Sequence, residues 1–253
     1  MKPDETLWVL VHDAWMGAWS WEAVGAKLAE RGWPVIMPDL PGHGLAALVP
    51  EDTQKLTLES YVGAVVEATT AQIGARKAVL VGHGTAGPVI QLAAERLEGQ
   101  VAALAFVEAY ILREGESIAG LMPPEIAAYF KELAASHPAG KLDLTELPDF
   151  WRYNMLNDDP RQADRLLARL VPEPVEPLFE PAHFKTFFQQ RVPCAYLSFN
   201  EDMSLPNGDF YPKMPKKLFH YRHININAGH EGIITKPLEV AESLLFLASQ
   251  DFK

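Results

Sequence analysis

The sequence predicts an α/β protein: a mostly parallel sheet flanked by helices, with a helical lid inserted after the first four strands. Two observations carry this. Short continuous apolar runs alternate with segments of helical periodicity, as in a sheet whose strands are buried on both faces. The alternation stops between about residues 111 and 190, where helical patterns continue without strands, and resumes at Cys194. At 253 residues and 48% hydrophobic, the chain is long enough to bury one substantial core.

Each element has its own signal. Leu7 to Val11 is an apolar run of strand length. Trp19 to Glu30 reads as a helix stopped by Arg31-Gly32. Val35 to Met37 is a second strand, running into the turn-rich Pro38-Asp39-Leu40-Pro41-Gly42-His43-Gly44. Leu58 to Ile73 is a long helix with Thr57 as its N-cap. A strand from Lys77 to Val81 and a helix from Val89 to Leu97 flank a glycine-rich turn, and Val101 to Val107 is the fourth strand. Pro124 to Ala135 and Arg161 to Leu170 are helical segments, followed by the Pro-rich tract Val171 to Pro177. Cys194 to Phe199 and Leu218 to Ile226 restore the sheet, and Leu238 to Ala248 closes the chain as an apolar helix. The expected organisation is a core of residues 1–110 and 191–253 with a lid of residues 111–190. The alternative is a set of ordinary surface helices in place of a lid.

Composition excludes several classes of function. The net charge of −11 argues against nucleic acid, because neutralising phosphates needs clustered Lys and Arg. No apolar run approaches the roughly 20 residues of a membrane helix. The run from Leu7 to Val11, behind an acidic flank, is too short for a signal-peptide core. A single cysteine, Cys194, rules out an intramolecular disulfide framework. The expectation is a soluble, cytoplasmic protein that acts on a small molecule, has no nucleic-acid or membrane partner, and leaves a homodimer open. Neither metal-ligand spacing nor a dinucleotide-binding glycine fingerprint is present, so no metal and no cofactor is expected.

The most informative stretch is Val81-Gly82-His83-Gly84-Thr85-Ala86-Gly87. A strand entering a turn of small residues, with a helix leaving it, is the setting of a nucleophile elbow, where a serine stands at the tip of a strained turn. Gly82 and Ala86 supply the small flanks. The tip is Gly84, which has no side chain.

Four stretches together resemble the α/β-hydrolase superfamily, and within it the branch of small plant and bacterial methylesterases and hydroxynitrile lyases. They are Leu10 to Trp21 (containing His12-Asp13-Ala14 and Gly17-Ala18-Trp19-Ser20-Trp21), Pro38 to Gly44, the elbow, and the pair Asn200 to Pro206 and Asn227-Ala228-Gly229-His230. The resemblance implies an α/β-hydrolase fold and a catalytic group in the chain order Ser, Asp or Glu, His. By that pattern His230 is the base and Asp202 the acid that orients it, with Glu201 as an alternative acid. The plain alternative is a turn aspartate and a loop histidine. His83 stands where the family commonly carries His and is read as structural, as are His12, His43, His137, His183, His220 and His223. The implied oxyanion hole is the N–H of Thr85 with that of Ala14.

Two positions depart from the family pattern. Gly84 replaces the serine, and Asp13 replaces the glycine that follows His12. An ionised Asp13 would repel a developing oxyanion. A desolvated Asp13 would have a raised pKa and exchange a proton. In the structural alternative it faces away and caps the turn at Ala14-Trp15. The branch's lyases carry a Lys beside the catalytic acid or base, whereas Glu231 follows His230 here and Met203 follows Asp202, which argues against cyanohydrin cleavage. The space left by Gly84 would hold a water or part of the substrate, with the free nitrogen of His230 aimed into it. Trp15 on one wall and Trp151 from the lid are the expected substrate-binding aromatics, among lid residues that include Tyr129, Phe130 and Tyr153. Three functions follow from these residues. One is a cofactor-independent enzyme applying His–Asp acid–base chemistry to a small, largely apolar or aromatic carbonyl compound, as lyase, cyclase, decarboxylase or non-covalent hydrolase. Another is a carboxylic ester hydrolase whose elbow serine was changed to Gly84. The third is a non-catalytic small-molecule binder.

Overall fold

The computed structural model describes residues 1–44, 56–137, 140–205 and 210–249; Pro206 lies outside the described residues. In chain order the first half holds β1 (Thr6–Val11), α1 (Glu22–Glu30), β2 (Val35–Ile36), α2 (Leu58–Ile73), β3 (Lys77–His83), α3 (Ala86–Arg96) and β4 (Val101–Val107). Then come α4 (Ile118–Leu121), α5 (Pro124–Ser136), β5 (Lys141–Leu142), α6 (Pro148–Phe150), α7 (Ala163–Leu167), β6 (Glu173–Pro174), α8 (Glu176–Phe179) and α9 (Phe187–Gln190). The chain closes with β7 (Cys194–Phe199), β8 (Arg222–Ile226), α10 (Gly232–Thr235) and α11 (Pro237–Ser249).

Six strands form one sheet in the order β2-β1-β3-β4-β7-β8, and every neighbouring pair is parallel. This is an α/β-hydrolase fold. Side chains alternate across it with period two. Leu7, Val9 and Val11 of β1 join one core with Leu80 and Phe106, under α2 and α3. Trp8 and Leu10 join a second core with Val79, Val81 and Leu197, under α1 and α11. Both faces are covered, which is why these strands read as unbroken apolar runs. The long helix α2 starts where Thr57 predicts it. Thr57 accepts from the backbone N–H of Ser60, and the Ser60 hydroxyl lies 2.9 Å from the Thr57 N–H, a reciprocal cap.

Several boundaries differ from expectation. Leu218 to Arg222 is mostly not strand: a single 3-10 turn over Pro215–Lys217 precedes it and β8 starts only at Arg222. The Arg161 to Leu170 segment is a 3-10 turn followed by the short α7. The stretch between β4 and β7, read as free of strands, contains β5 and β6, which pair antiparallel with each other and not with the main sheet. Two-residue strands carry no periodicity, and Pro174 limits β6 to an edge role. Among the described residues no helix is long and apolar enough to cross a membrane.

The topology puts four loops at one end of the sheet, beyond the carboxyl ends of β1, β3, β7 and β8. Asp13, Gly84, Asp202 and His230 lie on these loops, in the crevice position where open α/β sheets bind ligands.

Candidate active site

The elbow is built as its glycines require. Gly84 adopts φ +53, in the left-handed region, and its carbonyl accepts from Tyr110 N–H at 3.0 Å. A Cβ on Gly87 would stand 1.8 Å from the Tyr110 carbonyl oxygen, so α3 could not pack this closely with any other residue there.

The volume above Gly84 is not empty, contrary to the expectation of a space for water or substrate. The carboxylate of Asp13 fills it: a Cβ on Gly84 would lie 2.1 Å from Asp13 Cγ and 2.2–2.3 Å from both carboxylate oxygens. Asp13 therefore faces the site rather than away from it. Its Oδ1 accepts from Thr85 N–H at 2.6 Å, from Ala14 N–H at 2.7 Å and from the Thr85 hydroxyl at 2.7 Å. The two backbone donors implied for an oxyanion hole are thus already occupied, by a side chain of the protein itself. Ala14 N–H also lies 2.9 Å from Thr85 Oγ1. His12 steadies the loop from below, with Nδ1 donating to the Asp13 carbonyl at 2.7 Å and Nε2 accepting from Leu40 N–H at 3.0 Å. That arrangement needs a neutral ring, and burial, helped by His43, pushes the His12 pKa down to about 3.

His230 is held between two carboxylates. Nδ1 lies 2.8 Å from Asp202 Oδ2 and Nε2 lies 3.0 Å from Asp13 Oδ2. Asp202, and not the exposed Glu201, is the partner on the Nδ1 side. Burial disfavours charge on His230, but the Asp202 carboxylate and the hydrogen bonds of both aspartates outweigh it and hold the imidazole pKa well above its ordinary value. Burial likewise opposes ionisation of Asp13, yet the hydrogen bond from His230 and the Thr85 N–H hold its carboxyl well below the usual range. Of the two protonation states open to Asp13, the ionised one is favoured and the raised pKa is not. Desolvation is present, but four donors surround this carboxylate and favour its charged form. The resting site is an imidazolium between two carboxylates.

Neighbours complete the environment. Ser204 donates its backbone N–H to Asp202 Oδ1 at 2.7 Å and places Oγ 3.1 Å from His230 Nδ1. The buried Glu108 takes the Phe199 N–H at 2.6 Å; burial and then the nearby Asp202 charge raise its pKa well above the ordinary value. Glu231 is fully buried and its pKa is likewise raised, chiefly by burial. His83 is structural, as read: Nε2 donates to the His230 carbonyl at 2.9 Å, and burial followed by the His230 charge pushes its pKa down to about 4. Phe210 covers the His230 ring at a centroid distance of 5.5 Å. Asp13 and His230 are each only 2% exposed.

A second buried cluster ties the segment between β4 and β7 to this loop. Glu173 of β6 accepts from His43 Nε2 at 2.6 Å and from Trp15 N–H at 2.9 Å on Oε2, and from the Tyr61 hydroxyl at 3.0 Å on Oε1. Burial opposes charge on His43, but Glu173 outweighs it and raises the pKa. Trp15 sits at φ +61, unusual for a bulky residue, and is pinned there. Its indole N–H donates to Leu142 O at 2.9 Å, and its carbonyl accepts from Val171 N–H at 2.9 Å. The lone charges in the Pro-rich tract and the turn offered no sequence signal for this pairing.

Among the described residues, the expected aromatics pack or face solvent: Trp15 meets Phe130 edge-on at a ring-centroid distance of 6.3 Å. Trp151 is fully buried and donates its indole N–H to Ala163 O at 3.0 Å, so it packs the segment it belongs to. Tyr129 and Tyr153 are 45% and 56% exposed. A cavity of about 850 Å³ opens elsewhere, between α9 and the start of β8, with Phe187, Phe188, Pro193, Leu218 and Tyr221 in its walls and no member of the Asp13–His230–Asp202 group. Sequence spacing pointed to no metal, but the fold brings one ligand atom each of Asp13, His83 and His230 within 4.8 Å of one another. An ion there would have to replace the proton that His230 Nε2 shares with Asp13, whereas His83, whose Nε2 donates to the His230 carbonyl, has its buried Nδ1 without a hydrogen-bond partner among the described residues.

The chain as a whole is similar to several known proteins. A model of the alpha/beta hydrolase family matches residues 8–243. The carbendazim hydrolyzing esterase of Nocardioides sp. (strain SG-4G) is 32% identical over 126 residues, covering 48% of this chain and 51% of that protein. Methylesterase 7 of Arabidopsis thaliana is 26% identical over 260 residues, 98% of each chain. A solved extracellular alpha/beta-hydrolase from a Paenibacillus species, described as sharing structural and functional homology with tobacco salicylic acid binding protein 2, matches with a TM-score of 0.87. It is 26% identical and covers 95% of this chain and 98% of that one. The chain spans about half the length of the first two curated relatives.

Proposed function

The chain belongs to the alpha/beta hydrolase family, and from that premise we propose that it is an enzyme working without a serine nucleophile, in which His230 moves protons on a small, largely apolar or aromatic carbonyl compound. One observation carries this: the Asp202–His230–Asp13 chain of hydrogen bonds, with the Asp13 carboxylate standing where a side chain at residue 84 would be. Asp202 fixes the ring and stabilises its charge, as the carboxylate of a triad does. Asp13 exchanges the Nε2 proton in place of a hydroxyl. No cofactor is needed for such steps. Direct attack on an ester carbonyl is the least favoured member of the set, because the Ala14 and Thr85 donors are spent on Asp13. Elimination, aldol-type cyclisation and decarboxylation, which turn on a C–H or O–H proton or on protonating a carbanion, need only the His230 pair.

The interlock of Asp13 with Gly84 speaks against a simple trapped esterase. A serine Cβ at residue 84 would collide with the Asp13 carboxylate, so restoring the hydroxyl alone does not restore a triad. The test is turnover and ligand affinity of the wild type, His230→Ala and Asp13→Asn over a panel of small aromatic esters, β-hydroxy ketones and β-keto acids. Removing a general acid–base residue costs about 10²–10⁴ in rate, with affinity expected to change only a few-fold. Unchanged turnover in His230→Ala refutes the mechanism. Tight binding without product across the panel leaves the binder function standing.

A further inference from the structure

The cavity of about 850 Å³ lies at the end of the sheet opposite His230, where β7 and β8 begin. Its size is that of a small-molecule site. Phe187 and Phe188 come from α9, and Leu218, Phe219 and Tyr221 from the segment that leads into β8. The Phe188 ring meets Phe187 at 5.0 Å and Phe219 at 6.4 Å between centroids, both edge-on. Both walls are anchored to the body of the protein. Glu95 of α3 accepts from the N–H groups of Lys185, Thr186 and Phe187 at 2.9–3.0 Å, which fixes α9. On the other side Lys217 Nζ donates to Glu116 at 2.5 Å, and Arg113 donates to the Lys217 carbonyl at 3.3 Å. The apolar walls are therefore held apart before any ligand arrives.

The charge around this cavity has one sign. Arg191, His220 and Arg222 line it, and among the described residues no Asp or Glu does, in a chain whose net charge is −11. The Arg113 guanidinium, 6.0 Å from the centre of the Phe188 ring, adds to the positive side. Arg191 ends α9 at φ +50, in the left-handed region where helices ordinarily place glycine. The other described non-glycine residues with positive φ are Trp15 and Glu108, both at the His230 end. An arginine kept at a strained position points to a use for its side chain. A guanidinium beside apolar walls matches a carboxylate on an apolar body: the planar fork takes both oxygens, and the walls take the rest out of water. We propose that this cavity binds an organic acid anion with an extended apolar body, such as a medium-chain fatty acid, its chain between α9 and Tyr221 and its carboxylate at Arg191. The site is separate from the His230 group and goes beyond the proton-transfer function.

The test titrates the full chain in a calorimeter with decanoate and with 1-decanol, each below its aggregation concentration. The wild type is expected to bind the acid about tenfold or more tightly than the alcohol, the scale of a hydrogen bond to a charged group. Arg191→Gly removes the guanidinium and suits φ +50, so it should keep or raise the melting temperature. Its affinity for decanoate should fall about tenfold, with that for decanol unchanged, and Arg191→Lys should lie between. Decanoic acid carrying an aliphatic diazirine should, on irradiation, label the peptides holding residues 187–194 and 218–222. Equal affinity for acid and alcohol, unchanged decanoate affinity in Arg191→Gly, or label confined to other peptides each overturns the proposal. Binding to vesicles of anionic phospholipid without binding of free decanoate overturns it in favour of a membrane surface. Self-association that excludes decanoate at every protein concentration overturns it in favour of a second copy of the chain. If Arg191→Gly does not fold, the acid–alcohol comparison and the labelling of the wild type decide.

Discussion

Gly84 and Asp13 occupy one volume, so substitutions at the two positions must be strongly coupled. In Gly84→Ser the new Cβ lies 2.1 Å from Asp13 Cγ, where ordinary contact begins at 3.4 Å. The backbone cannot yield, because Tyr110 N–H and the packing of α3 hold the turn. Asp13 must leave instead, and it abandons three donors on Oδ1 and the bond to His230. Overpacking costs about 1–3 kcal/mol, and leaving buried donors unpaired about 1–3 kcal/mol. A loss of roughly 2–5 kcal/mol is expected, or a melting temperature lower by about 5–15 °C for a domain of this size. Asp13→Gly in the same chain removes the collision and frees the Ala14 and Thr85 N–H groups for water or a substrate oxygen. The double variant should then be more stable than the two single changes predict, by at least about 2 kcal/mol, within the range of contacting pairs. It should also hydrolyse aryl esters that Gly84→Ser alone barely touches. Urea unfolding of the four proteins, with p-nitrophenyl acetate turnover of each, measures both. Additive stabilities, or robust esterase activity in Gly84→Ser alone, would show that Asp13 does not occupy the elbow.

Further outcomes follow from the same contacts. The folded pKa of His230 is raised above its unfolded value near 6.5. Its contribution is therefore fully present below that pH and is lost as pH rises through the folded value. The stability advantage of wild type over His230→Gln should shrink steadily on the alkaline side, and a constant difference in melting temperature from pH 6 to 10 would refute it. The Asp13 carboxyl is depressed, so its contribution is present above the unfolded value near 3.9 and is lost as pH falls through the folded one; Asp13→Asn should converge on wild type in acid. Glu173→Ala strands the buried His43 and the Trp15 N–H and should cost about 3–5 kcal/mol, whereas a melting temperature within a few degrees of wild type would mean that the cluster is dispensable.

Residue order alone determined a good deal of this protein. The inner strands of the parallel sheet announce themselves because both faces are buried, so apolar residues dominate them, whereas the edge strand β8 is half exposed and carries Arg222, His223 and Asn225. The elbow is visible because glycine is needed where φ is positive and where α3 crosses close to Tyr110. Asp202 and His230 stand on the loops just after the recognisable strands β7 and β8, and their hydrogen bond is what chain order implies. The sequence also showed that Gly84 and Asp13 were both out of pattern. Only the tertiary structure showed that the two changes are one, since the carboxylate from the β1 loop enters the space that the glycine vacates, 71 positions away in the chain by its Ala14–Thr85 neighbours. The sequence leaves its protonation open, because burial can be foreseen there and the four donors cannot. Glu173, Ser204 and Glu108 were silent for the same reason. A titratable side chain takes its role from the groups that surround it, and those come from loops that no local pattern connects.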